Sequence, residues 1–138
     1  MNQRVRAIGH EHVTAEHTST LELTSDDWLT PAGDCIVGVE ATAVPADFDD
    51  EFVEACQSRD AEITATLRVD GDEQVIEGRG DPGLTFEGDR SMVLRRSDYV
   101  DDRTVMVDAD TAAVGLDRGI VDRLADGGEL ECLLTVER

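Results

Sequence analysis

The sequence predicts an α+β, β-rich fold, with antiparallel sheets packed as a sandwich or open barrel and accompanied by two helices. Three observations point there. Apolar residues recur at every second position through much of the chain, hairpin-length turn signals separate these runs, and only two stretches carry a helical pattern. At 138 residues the chain is expected to form one domain over 1–138 around a single core. A globule of this size buries roughly 68–70% of the surface its unfolded chain exposes. No internal repeat, low-complexity tract or linker stands out.

From Val13 to Thr24, residues Val13, Ala15, His17, Ser19, Leu21 and Leu23 share one parity and Thr14, Glu16, Thr18, Thr20, Glu22 and Thr24 the other, as in a half-buried strand. After a loop over Ser25–Asp34, Cys35 to Val44 alternates again. Pro45 and the acidic run through Glu51 precede Phe52, Val53 and Cys56, which predicts a short helix with negative charge at its positive dipole end. Ile63, Ala65, Leu67 and Val69 lead into Asp70-Gly71-Asp72 and then Val75-Ile76, the clearest hairpin signal. Short strands are expected at Leu84–Phe86, Met92–Arg95 and Thr104–Val107. Ala112, Leu116, Ile120 and Leu124 then predict an amphipathic helix from Thr111 to about Ala125, stopped by Gly127-Gly128. Leu130, Cys132, Leu134 and Val136 form one face of a last strand.

The formal net charge is -20, from 32 Asp+Glu against 12 Lys+Arg, and every basic side chain is arginine. The magnitude far exceeds the roughly 2–8 that suits a small domain. Such self-repulsion destabilises a compact state unless salt screens it, which predicts a protein adapted to concentrated salt. An acidic mesophilic protein with a disordered tail is the alternative, and no acidic tail is visible. No run approaches a membrane span and Met1–Arg6 leads into no apolar signal core, so a cytoplasmic location is expected. Cys35, Cys56 and Cys132 lack zinc or redox spacing and are expected as free thiols.

Two places invite chemistry. If the first strand runs unbroken, His17 and Ser19 lie on its otherwise apolar face, and buried polar groups need partners or a cavity. Cys35 shares that parity on the next strand and follows Asp34. His17, Asp34 and Cys35 are therefore the candidate catalytic residues, with a satisfied core histidine and a small apolar thiol as the plain reading. Arg95, Arg96, Ser97, Arg103 and Thr104 make the single basic concentration. By parity with Met92 and Leu94, Arg96 is expected to face inward and Arg95 outward. Either structural carboxylates or an anionic ligand would satisfy these guanidinium forks. Arg96, Ser97, Arg103 and Ser19 are the candidate ligand-binding residues. His10, His12 and His17 do not share a strand face, so no metal site is assigned. The segment Gly78–Gly83 lacks the lysine and helix of a phosphate loop.

An ordered series of short patterns runs through nearly the whole chain: Gly9-His10, His17, Thr20-Leu21-Glu22, Leu29-Thr30, Gly33-Asp34-Cys35-Ile36, Val93-Leu94-Arg95-Arg96-Ser97, Arg103-Thr104 and Asp117-Arg118. The chain in this respect resembles the archaeal family catalogued as domain of unknown function 371. The resemblance implies a compact β-rich domain and carries no activity or cofactor.

The residues themselves favour a pocket protein for a small anionic ligand, phosphorylated or nucleotide-like, with catalysis and cofactor undecided. An RNA-binding or ribonucleoprotein accessory role is the second expectation, opposed by the charge and by an aromatic content of 4%. A structural subunit of a larger complex is the third, and would be marked by an exposed apolar patch.

Overall fold

The computed structural model describes residues 1–138. Chain order is β1 (Asn2–Ile8), β2 (Thr20–Thr24), β3 (Ile36–Gly38), a 3-10 turn (Pro45–Asp47), α1 (Asp50–Cys56), β4 (Glu62–Val69), β5 (Asp72–Arg79), β6 (Ser91–Arg95), β7 (Thr104–Met106), a second 3-10 turn (Ala113–Gly115), α2 (Arg118–Ala125) and β8 (Glu129–Glu137). The expected class holds: mostly strands, two helices, and two four-stranded sheets, neither closed into a barrel. One sheet runs β1-β8-β4-β5 and is antiparallel throughout; the other runs β3-β2-β6-β7, with an antiparallel centre and a parallel pair at each edge.

The alternation explains the long strands. In β8 the buried residues Leu130, Cys132, Leu134 and Val136 alternate with the partly exposed Glu131, Leu133 and Thr135, and in β4 Ile63, Ala65, Leu67 and Val69 do the same. Asp70 (φ 51) and Gly71 (φ 88) close the β4–β5 hairpin, both left-handed as the twist-matched two-residue turn requires. The outer face of this sheet carries a charge ladder across four strands. Arg6 opposes Glu131, Glu131 opposes Arg68 and Arg68 opposes Glu73, with contacts of 3.8, 3.8 and 2.7 Å. These pairs are half-exposed, and each is worth only a fraction of a kcal/mol, about 0.2–1.

Elsewhere the periodic runs overstate the strands. Val13–Ser19 is loop, because Ala15 sits at φ 50, a left-handed turn that ends the alternation before β2. The strand expected over Cys35–Val44 shrinks to Ile36–Gly38, cut by Glu40 at φ 55, and Leu84–Phe86 is loop around Phe86 at φ 52. The helix expected from Thr111 starts at Arg118, after the 3-10 turn, with the Asp117 carboxylate accepting the Ile120 N–H at 3.2 Å as its cap.

The chain is also a duplication, which the sequence reading did not find. The order strand, strand, strand, 3-10 turn, helix, strand occurs twice, and the bonds that join the elements repeat. Ile8 N–H donates to Val39 O at 3.0 Å as Arg79 N–H does to Val107 O at 2.9 Å; Ala41 donates to Thr24 as Ala109 does to Arg95; Ala46 donates to Gly88 as Val114 does to His17. Left-handed residues pair likewise, Ala15 with Phe86 and Glu40 with Asp108. The central β2–β6 pair lies where the halves meet. Few identities mark the repeat, among them Gly9 and Gly80, Thr14 and Thr85, Leu23 and Leu94, Val37 and Val105. Size is instead traded between halves. Phe86 fills with Phe48 and Phe52 a cluster at 5.8–6.3 Å in which Phe52 meets both other rings edge-on, whereas the other half places Ala15, Leu116 and Ile120 at the corresponding positions. One apolar cluster of 36 buried residues spans both halves.

Candidate functional site

β2 and β6 pair antiparallel with Thr20 opposite Arg95, Glu22 opposite Val93 and Thr24 opposite Ser91. Leu21, Leu23, Met92 and Leu94 belong to the core, so the pleat gives the other face to Thr20, Glu22, Thr24, Ser91, Val93 and Arg95. That face is polar yet largely removed from water: Thr24, Ser91, Val93 and Thr104 are buried. Two equivalent loops frame it, from Ser25 to Cys35 and from Arg96 to Arg103.

On this face the arginines are already partnered. The Arg95 Nε donates to Thr104 Oγ1 at 2.8 Å and its Nη2 to Asp101 Oδ2 at 3.0 Å, while the guanidinium lies 4.9 Å from the Tyr99 ring centroid. Arg103 spans Asp101 at 3.4 Å and Glu22 at 3.8 Å. Arg95 points away from the core as its parity predicts, yet its side chain is only 11% exposed because Asp101 and Thr104 close over that face; Arg96 does not turn inward, because β6 ends at Arg95 and the pleat no longer governs it.

Arg96 is exposed and meets no carboxylate. Its N–H donates to Ser19 O at 2.9 Å and its Nη1 to Thr18 O at 3.4 Å, which places the guanidinium beside the His17–Ser19 turn. Ser97 Oγ accepts the Tyr99 N–H at 3.3 Å in a tight turn. Neither His17 nor Ser19 faces the core as the unbroken strand implied: His17 is half-buried and Ser19 exposed, since this segment is turn rather than strand. His17 Nδ1 accepts the N–H groups of Ser19 and Thr20 at 3.2 and 3.0 Å. A nitrogen that accepts two backbone donors carries no hydrogen, so in the neutral ring the proton sits on Nε2. His10 Nδ1 similarly accepts the His12 N–H at 3.1 Å. No three His, Cys, Asp or Glu side chains are grouped to hold a metal.

Asp34 joins this turn through its backbone, its carbonyl accepting the Glu16 and His17 N–H groups at 3.1 and 3.4 Å. Cys35 belongs to the other group. Its thiol lies 3.9 Å from Glu22 Oε1, and burial together with the neighbouring Glu22 charge pushes its pKa up, so it stands as a thiol and not a thiolate. The candidates thus divide into an open shelf of His17, Ser19, Asp34, Arg96 and Ser97, and a half-buried cluster of Glu22, Cys35, Arg95, Asp101 and Arg103. Of the partners or cavity expected beneath the first strand, the structure supplies partners, the Ser19 and Thr20 N–H groups on His17. The four main clefts, of about 400 to 560 Å³, lie elsewhere and are lined by residues such as Arg6 and Glu131 or Glu62 and Asp108.

Glu22 was not singled out from the sequence, and Arg95 was noted only as part of the basic concentration. Alternation put Glu22 on a solvent face, and only the loops that fold over that face remove it from water. Burial raises the Glu22 pKa against the pull of Arg103, a hydrogen bond from Ser91 and the charge of Arg95. Asp101 goes the other way: burial opposes its charge, but the Thr104 hydroxyl, Arg95 and the Arg103 N–H and guanidinium together hold its pKa below the usual carboxylate value. The signs follow from linkage. Asp101 contributes stability above its unfolded value of about 3.8 that is lost as pH falls through its lowered folded pKa. Glu22 contributes stability only below its unfolded value of about 4.5, lost as pH rises toward its raised folded pKa. Glu22→Gln is accordingly expected to flatten the decline of stability as pH rises above about 4.5, and Asp101→Asn to lose stability at neutral pH. Melts of both variants across pH at fixed salt check the pair; a Glu22→Gln profile parallel to wild type would contradict the assignment.

No helix is long and apolar enough to cross a membrane. In comparisons with known proteins, the family described as Domain of unknown function (DUF371) matches residues 5–137. An uncharacterized protein of Methanocaldococcus jannaschii, MJ0206, is 38% identical over 126 residues, covering 91% of this chain and 93% of that protein. The ordered motifs that join the two halves and line the β2–β6 face thus sit in a chain that belongs to the domain of unknown function 371 family.

Proposed function

We propose that the protein binds a small anionic ligand, phosphorylated or nucleotide-like, on the open shelf of His17, Ser19, Arg96 and Ser97. The observation that carries this reading is the division of labour among the arginines. Arg95 and Arg103 are spent on Asp101 and Glu22, whereas Arg96 has only a carbonyl contact and keeps donors of its guanidinium fork free. A planar fork beside two hydroxyls and an imidazole N–H is a donor set for a phosphoryl oxygen cluster. Arg103, first grouped with the ligand residues, acts here as the strut that holds Glu22 and Asp101.

For proton transfer at this shelf, His17 is the titratable side chain in place and Asp34 its neighbour, with Cys35 committed to Glu22. The setting that fits the composition is a salt-rich cytoplasm: at about 1 M salt the Debye length is only about 3 Å, so the surrounding carboxylates cease to repel an approaching anion. An exposed stripe for RNA is less well supported, because two of its three arginines are neutralised.

Calorimetric titration with inorganic phosphate in about 1 M salt tests the reading. Arg96→Ala is expected to weaken binding at least about tenfold, the loss of one charge-assisted contact. Arg59→Ala, another exposed arginine without a carboxylate partner, is expected to leave it unchanged. Equal affinity in wild type and Arg96→Ala would refute the site.

A further inference from the structure

The chain has one Trp and one Tyr, and both are on the surface, Trp28 at 55% and Tyr99 at 59% exposure, whereas its three Phe are buried together. Their positions correspond in the two halves, each three residues past the equivalent Ser25 and Arg96. Each ring also has an arginine against it: Arg90 at 5.9 Å from Trp28 and Arg95 at 4.9 Å from Tyr99. In a protein so poor in aromatic residues, two rings held at corresponding places on the loops that frame one sheet face are platforms rather than leftover core. A guanidinium stands over one face of each ring, closer at Tyr99 than at Trp28. At this exposure the remaining side is open to a planar ligand.

The two platforms are not chemically equal. The loop that carries Tyr99 begins with Arg96, which meets no carboxylate and reaches Thr18 O at the His17–Ser19 turn, and Ser97, whose Oγ accepts the Tyr99 N–H. At the corresponding places beside Trp28 stand Ser25 and Asp26, and the arginine that takes the position of Ser19 is Arg90, paired with Asp26 at 2.8 Å. The free cation and the hydroxyls therefore accompany one ring only, and the other ring is accompanied by a carboxylate whose pKa its Arg90 hydrogen bond lowers.

Resting on the anion-binding reading above, we infer that the ligand is a mononucleotide bound once per chain, with its base stacked on Tyr99 and its phosphate on Arg96, Ser97 and the His17–Ser19 turn. Stacking on an aromatic ring is tolerant of base identity because every base offers a π-face, so the site selects for a base joined to a phosphate rather than for one base. Trp28 marks the corresponding place where the same fold has been left without the anion-binding half.

The experiment compares AMP with ribose 5-phosphate, which keeps the phosphate and lacks the base, by calorimetry in about 1 M salt. AMP is expected to bind at a stoichiometry of one and at least about tenfold tighter than ribose 5-phosphate. Tyr99→Ala is expected to erase that preference, Tyr99→Phe to retain it, and Trp28→Ala to leave it unchanged. Equal affinity of the two ligands for wild type overturns the stacking platform while leaving the anion site standing. Binding of neither overturns both. Loss of the preference in Trp28→Ala as well as Tyr99→Ala, or tighter binding of a short single-stranded oligonucleotide that needs both rings, would replace the mononucleotide by an extended ligand. Should Tyr99→Ala fail to fold, the AMP comparison and Tyr99→Phe still decide.

Discussion

Replacing either Gly9 or Gly80 by alanine is expected to cost about 4 kcal/mol or more, a large share of the stability of a domain whose whole is of the order of 5–15 kcal/mol. The two glycines hold the same place in the two halves. A methyl group at Gly9 would overlap the backbone carbonyl of Leu124 at the end of α2, and one at Gly80 would overlap the carbonyl of Cys56 at the end of α1. Both contacts are with backbone, so no side chain can rotate away. Relief would require the helix to leave the strand, and with it Phe52, Ile120 and Leu124, which are buried. The N–H groups of the same glycines are engaged, Gly9 with Gly128 O at 2.8 Å and Gly80 with Ala61 O at 2.9 Å. Similar losses for the two variants in denaturant melts at one salt concentration are the signature of the duplication; a loss under about 1 kcal/mol at either position would show that the strand–helix junction is slack there.

Arg118→Ala should be the most damaging change to an exposed residue, at about 2–3 kcal/mol. Its guanidinium is not an ion-pair partner but a clamp on carbonyls. Nη1 donates to Thr14 O at 3.1 Å, and Nη2 lies 3.1 Å from the carbonyls of Ala15, Val114 and Leu116. It thereby ties the Thr14–Ala15 turn, strained by the left-handed Ala15, to the segment that precedes α2. Because the bonds come from three nitrogens held in one plane, Arg118→Lys should recover less than half of the loss. The Val114 N–H also donates to His17 O at 3.0 Å, so releasing the clamp loosens the turn that carries the candidate site. Thermal melts give the stability, and phosphate affinity at a temperature where both proteins are folded gives the second effect. An Arg118→Lys variant as stable as wild type would contradict the fork argument.

The sequence is legible where a strand has one wet face and one dry face. β4, β5 and β8 follow the alternation, and the Asp70-Gly71 turn is what its residues demand. It misleads where backbone conformation overrides pattern. Ala15, Glu40 and Phe86 adopt left-handed φ without being glycine or asparagine, and nothing in their side chains announces it. Those three turns shorten two expected strands, remove the one expected at Leu84–Phe86, and carry His17 and Ser19 out of the core. The β2–β6 sheet fails for a second reason: both its faces are covered, one by apolar residues and one by loops, so Glu22 reads as a surface residue and is half-buried. The repeat is hidden because equivalent positions preserve volume in sum and not in place, as Phe86 against Ala15 illustrates. The Arg95–Thr104 concentration was visible, but which arginine is free depends on where β6 ends, a boundary that no periodicity fixes.

Nitrogen-edited NMR of the protein during titration with inorganic phosphate in about 1 M salt tests the anion shelf most directly. The predicted result is saturable shifts of the Arg96 Nε–H, the Ser97 and Ser19 amides and the His17 ring, with the Arg103 and Arg95 Nε–H signals unmoved. Shifts confined to Arg6 and Arg68 in the cleft of the other sheet, or no saturable shift at Arg96, would contradict it.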